Sequence, residues 1–152
     1  FIPLLFLYLG NYFNIKFYII KTFNIEYLYM KKIKINFLKI SILVNLHNTK
    51  NAALIWESCP IKSIVNTWGN EIYFKTKVNT IKDRTAKDII NKGEIAFWVE
   101  GSSIAIGFGP TPISKNNEIR LVTNANIIGH TNTELSSLSM VNSGEIVIVE
   151  CI

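Results

Sequence analysis

The stretch from Gly93 to Ser114, GEIAFWVEGSSIAIGFGPTPIS, constrains the fold of this 152-residue chain more than any other segment. Ile95, Phe97 and Val99 alternate with Glu94, Ala96, Trp98 and Glu100, and a period of two places successive side chains on opposite faces of a strand. Ile104, Ile106 and Phe108 repeat the pattern against Ser103, Ala105, Gly107 and Gly109. Between the runs, Glu100-Gly101-Ser102-Ser103 has the length and chemistry of a hairpin loop. A β-hairpin ending in the corner Pro110-Thr111-Pro112 is therefore expected at the centre of a mainly β domain.

Upstream, Ile33, Ile35 and Phe37 share one register, and Ile40, Ile42, Val44 and Leu46 share the opposite one. Two strands with a tight turn, or one strand with a bulge, must absorb the change of parity at Leu38-Lys39. Asn48-Thr49 offers a helix N-cap, and the run Ala52 to Trp56 suits a short helix ended by Pro60, with Trp56 packing it onto the sheet. Gly69-Asn70 breaks two β-prone runs between Ile61 and Val78, so a second hairpin is expected there, with Trp68 and Tyr73 as an aromatic pair across it. Asn79 to Lys92 reads as a polar loop in which Asp83, Arg84, Lys87 and Asp88 are solvated. Downstream, Glu118–Val122 and Ala125–Gly129 read as two strands, Glu134–Met140 as a helix, and Glu145–Cys151 as a final strand.

Charge and sulfur narrow the function. The net charge of +5 arises from 16 basic and 11 acidic residues scattered singly, without the basic stripe interleaved with aromatics that a nucleic-acid face requires. No nucleic-acid partner is expected. Cys59 and Cys151 flank no ligand-type neighbour and are too few for a disulfide-stapled secreted scaffold. The expectation is a reduced, cytoplasmic protein, with a single bridge left open. His47 and His130 are likewise isolated in sequence, so neither a metal nor any other cofactor is expected.

Residues 1–29 differ in composition: 25 of the 29 are Phe, Ile, Leu, Tyr, Asn or Lys, the residues of A- and T-rich codons. The stretch is expected to be a non-native or disordered extension, read through from upstream of a start at Met30, leaving one domain at 30–152. A membrane-associating segment and an integral part of the fold are the alternatives. Against a spanning helix, Lys16 and Lys21 interrupt the run, which falls short of the roughly 20 apolar residues a span needs. No membrane partner is expected unless this segment is genuine.

Four motifs in order, Asn66-Thr67-Trp68-Gly69-Asn70-Glu71-Ile72-Tyr73-Phe74, Gly93-Glu94-Ile95-Ala96-Phe97-Trp98, Gly109-Pro110-Thr111-Pro112-Ile113-Ser114 and Asn126-Ile127-Ile128-Gly129, resemble the small prokaryotic cyclophilin-like proteins. The resemblance runs from about Lys31 to Cys151. It implies a closed eight-stranded β-barrel with one or two short helices. Cyclophilins proper are peptidyl-prolyl isomerases that present an arginine to the prolyl nitrogen beside an apolar cup, against a rotational barrier of about 18–20 kcal/mol. That arginine motif is missing, since Arg84 and Arg120 are the only arginines and both lie outside the matching strand. The expectation is a barrel that binds a small molecule or short peptide in a groove lined by Trp68, Glu71, Tyr73, Trp98, Glu100, Phe108, Thr111 and Asn126. A weak isomerase and a non-catalytic interaction or homo-oligomer module remain the alternatives.

Overall fold

The computed structural model describes residues 31–152, so the expectations for residues 1–29 lie outside the described residues. Nine strands form among the described residues: β1 (Lys32–Asn36), β2 (Ser41–Leu46), β3 (Ile61–Thr67), β4 (Glu71–Lys75), β5 (Lys87–Ile90), β6 (Glu94–Trp98), β7 (Ser103–Gly107), β8 (Ile119–His130) and β9 (Ile146–Cys151). Among the described residues one helix, α1 (Lys50–Glu57), and one 3-10 turn, Ser136–Met140, accompany the strands. The wall runs β2-β1-β9-β3-β4-β7-β6-β8, and β8 returns to β2, so eight antiparallel strands close a ring. This is the closed barrel that the motifs implied.

Period two decides what fills it. Ile95, Phe97, Ile104 and Ile106 of the central hairpin turn inward with Ile72 and Phe74 of β4, and each is 0–1% exposed. The change of parity near Leu38 resolves as two strands, with Phe37 N donating to Ile40 O at 2.8 Å across the turn. The N-cap is Thr49, whose Oγ1 accepts from Ala52 N at 3.2 Å. Because α1 joins β2 to β3 whereas the 3-10 turn joins β8 to β9, the two cap opposite ends of the barrel. Their Ala52, Ile55, Leu135 and Leu138 complete the inner core, and Trp56 packs against it.

Three expectations need correction. Residues 119–130 form one long strand, not two: Ile119 and Arg120 pair with β5, then residues from Asn126 onward pair with β6. Residues 87–90, expected in a loop, are the strand that accompanies it. Too short to show a period, they gain order only from β8. The late helix shrinks to the 3-10 turn, in keeping with three serines, whose side chains compete for backbone hydrogen bonds.

Together β5 and the first half of β8 lie over the outside of the wall, where Ile90, Ile119 and Leu121 pack with Ala96 and Ala105 in a second, outer core. Gly107 is part of this fit, because a Cβ there would collide with Ile119 Cγ2.

The ring closes at Gly129, opposite Leu46. A Cβ at that position would sit 2.5 Å from the Asn45 carbonyl oxygen, a backbone atom that cannot rotate aside. Gly129→Ala is accordingly expected to cost about 1–3 kcal/mol in urea unfolding, with circular dichroism as the readout. An unchanged midpoint would mean that the seam is looser than described.

Candidate functional site

The eight residues expected to line one groove fall into separate places. Trp68 and Glu71 close the β3–β4 turn, with Trp68 N donating to Glu71 O at 2.9 Å and Glu71 N to Trp68 O at 3.2 Å. Residues directly opposite in a ladder share a face, so both side chains lie on the outer wall. Tyr73 therefore sits two residues deeper, opposite Asn66 and not Trp68. The expected Trp68–Tyr73 pair is replaced by Tyr73 against Trp98, ring centroids 6.3 Å apart and planes at 82°. Both rings pack onto the outer core. Trp98 Nε1 is buried without a hydrogen bond, the Glu100 carboxylate being near it but outside bonding geometry.

Glu71 is 7% exposed and its Oε2 has no hydrogen-bond partner. Burial pushes its carboxyl up to about 7, because the charged form is the one that loses most on leaving water. A Glu71–Glu100 carboxylate pair does not form. Glu71 opposes Gly107 at one end of β7, whereas Glu100 lies in the turn beyond the other end.

Three further residues hold the framework together. Phe108 is half-buried against the inner core. Thr111 Oγ1 donates to Arg120 O at 2.5 Å and Thr111 N donates to Ser114 Oγ at 2.9 Å, pinning the proline corner to β8. Asn126 is fully buried: its Oδ1 accepts from Asp83 N at 2.9 Å and its Nδ2 donates to Ile81 O at 3.0 Å. An amide so engaged and so deeply buried orients a loop and is closed off from a ligand.

The loop that Asn126 orients is one wall of a cleft of about 360 Å³ at the α1 end of the barrel. Asn48 to Asn51 line one side of it and Thr80 to Thr85 the other. Asn51, 4% exposed, joins the two by donating to Asp83 Oδ2 at 2.5 Å and accepting from Thr80 Oγ1. Asp83 Oδ1 accepts from Thr85 N at 2.8 Å, and Thr85 Oγ1 accepts from Ile127 N at 2.9 Å. Burial pushes the Asp83 carboxyl up, but the bonds from Thr85 and Asn51 and the Arg84 charge outweigh it and hold it below its usual value. Lys82 pairs with Glu100 at 2.5 Å and reaches Thr123 at 3.3 Å, tying the loop to the β6–β7 turn and to β8. Lys50 and Arg84 line the same cleft, and neither has an ion-pair partner among the described residues.

This polar cleft was not foreseen. Asp83 and Arg84 read as solvated loop residues, and the Asp-x-Thr spacing of Asp83 and Thr85 was the signal of a self-bonded turn that could have marked them. Two separations in sequence also close in space. His47 and His130 come within 5.8 Å, ring centre to ring centre. Cys59, pushed up to about 11 by burial and then by the charge of Cys151, lies within electrostatic reach of that second thiol, and both are free. Among the described residues no group of three or more His, Cys, Asp or Glu could hold a metal ion, and no helix is long and apolar enough to cross a membrane.

Residues 31–150 match the family model described as Cyclophilin-like. The solution structure of the hypothetical protein AF2241 from Archaeoglobus fulgidus is similar, at 36% identity and a TM-score of 0.69, covering 80% of this chain and 93% of that one. No curated protein matches the sequence.

Proposed function

The chain belongs to the cyclophilin-like family, and from that premise we propose that it is a binding barrel, not an isomerase, that takes a small molecule or short peptide by an anionic group. The ligand sits in the cleft between α1 and residues 80–85. One observation carries this reading: Asp83 is turned into the wall by Asn51 and Thr85, while Lys50 and Arg84 line the cleft without ion-pair partners among the described residues. A rim whose ionised Asp83 has its oxygens occupied by Asn51 and Thr85, and whose two cations stand outside any ion pair among the described residues, suits a carboxylate or phosphate. A guanidinium can grip either through two parallel hydrogen bonds.

Arginine placement weighs against an isomerase. Arg120 donates from Nε to Glu118 Oε1 at 2.7 Å and from Nη1 to Asp88, so its guanidinium is committed. Arg84 stands in a cleft where Ile81 is the one apolar side chain and where no aromatic ring is present to cup a proline. The aromatic wall at Tyr73 and Trp98 is taken up by the outer core, which supports a structural role for that part of the expected groove.

Thermal-shift titration tests the proposal with inorganic phosphate, citrate, and one short peptide prepared with a free or an amidated C-terminus. A ligand bound only by the native state raises the melting temperature. The anions and the free-acid peptide are expected to do so, the amidated peptide less, and Lys50→Ala or Arg84→Ala is expected to shrink the rise. The proposal fails if no anion shifts the midpoint, or if the shift survives both substitutions. It also fails if the chain accelerates prolyl exchange at catalytic concentration.

A further inference from the structure

The ring of eight strands closes through its shortest ladder. Strands β2 and β8 meet in two register pairs, Asn45↔His130 and Leu46↔Gly129, extended by His47 N donating to Ile128 O at 2.8 Å. Both histidines of the chain stand at this seam and are exposed, their ring centroids 5.8 Å apart and their planes at 37°. We propose that His47 and His130 form a two-imidazole site for a divalent transition-metal ion, which staples β2 to β8 where the barrel closes.

The separation suits chelation. A metal–nitrogen bond of about 2.0–2.1 Å puts the ion about 3.2 Å from each ring centre, so rings 5.8 Å apart subtend an angle of roughly 130° at the metal. A tetrahedral angle at the metal needs ring centres about 5.2 Å apart, slightly closer than they stand. Imidazole favours copper, nickel and zinc over magnesium or calcium, which prefer oxygen.

Glu94 faces His130 across the β6–β8 ladder. Its carboxylate is held by Lys87 at 2.7 Å and by Asn91 N at 2.7 Å. It therefore lends negative charge to the neighbourhood without serving as a ligand. With no third His, Cys, Asp or Glu completing a set among the described residues, water fills the remaining positions. Affinity is correspondingly weaker than at sites with three or four protein ligands.

The test uses the full chain without a histidine tag and carrying Cys151→Ser, which removes the exposed thiol as a competing donor. Melting temperature is recorded with nickel, zinc or magnesium chloride in turn. Nickel and zinc are expected to raise it, and magnesium to leave it unchanged. Either His47→Asn or His130→Asn should weaken binding by more than the ~10-fold that loss of an outer-shell partner costs. Because both positions are exposed, each variant is expected to keep the wild-type circular dichroism spectrum. Paramagnetic broadening by nickel should be confined to amides near residues 45–47 and 128–130. Absence of any shift with nickel and zinc overturns the proposal, as does a full shift in the double variant or broadening centred elsewhere.

Discussion

Glu71→Gln is expected to stabilise the folded chain at about pH 8 by about 3 kcal/mol and to leave it nearly unchanged at about pH 4, if the folded carboxyl titrates near 7 against 4.5 when unfolded. Below 4.5 the acid is protonated in both states and contributes no penalty. Between 4.5 and 7 the unfolded chain has released its proton while the folded chain retains it, so stability falls with rising pH by about 1.36 kcal/mol per unit. Above 7 the carboxylate is charged and buried with Oε2 unpartnered, and the loss levels off. Glutamine stays neutral throughout and abolishes the slope. Carboxyls held low, such as Asp83 and Glu94, produce the opposite slope at more acidic pH. The difference between wild type and variant isolates Glu71. Urea unfolding across pH 4 to 8 provides the measurement, and a difference that does not grow with pH would contradict the assignment.

Phe97→Ala is expected to cost about 3–5 kcal/mol, the usual range for a buried phenylalanine, because the ring is fully enclosed in the inner core. Trp98→Ala, next in sequence, should cost less, since that side chain is only partly buried, on the outer wall. The pair tests the register of β6, because a slip of one residue would exchange inside for outside. Denaturant unfolding of the two variants gives the comparison. A larger loss at Trp98 than at Phe97 would reverse the wall.

Strand existence was legible where alternation ran long enough. Ile95-Phe97 and Ile104-Ile106 show which face is inside, and the Gly69-Asn70 turn is visible from its residue types, Gly69 adopting φ +59°. What alternation cannot reveal is how a long strand divides its two edges. Residues 119–130 carry two apolar runs that look like two strands, and only the pairing to β5 and then β6 shows that one strand leaves the wall to cover it. The outer core depends on that crossing, and so does the fate of Tyr73 and Trp98. Their rings read as groove lining because aromatic residues with polar handles suit ligands, yet small Ala105 and Ala96 between their strands let the rings pack against each other.

The site was less legible for a related reason. Asn126 and Thr111 have the right chemistry for ligand contact, but polar residues of that size are equally suited to satisfying backbone groups of loops that cross a barrel end. Residues 80–85 carry no periodic signal, and their meeting with Asn48 to Asn51 follows only from ring closure. Sequence distance likewise hid the approach of His47 to His130.

Amide chemical-shift mapping with phosphate or the free-acid peptide tests the proposed function most directly. The expected result is saturable perturbation centred on residues 48–51 and 80–85, with Trp68, Tyr73 and Trp98 little affected. Perturbation centred instead on Trp68, Glu71 and Tyr73 would contradict the placement of the ligand at the α1 end and return it to the outer wall.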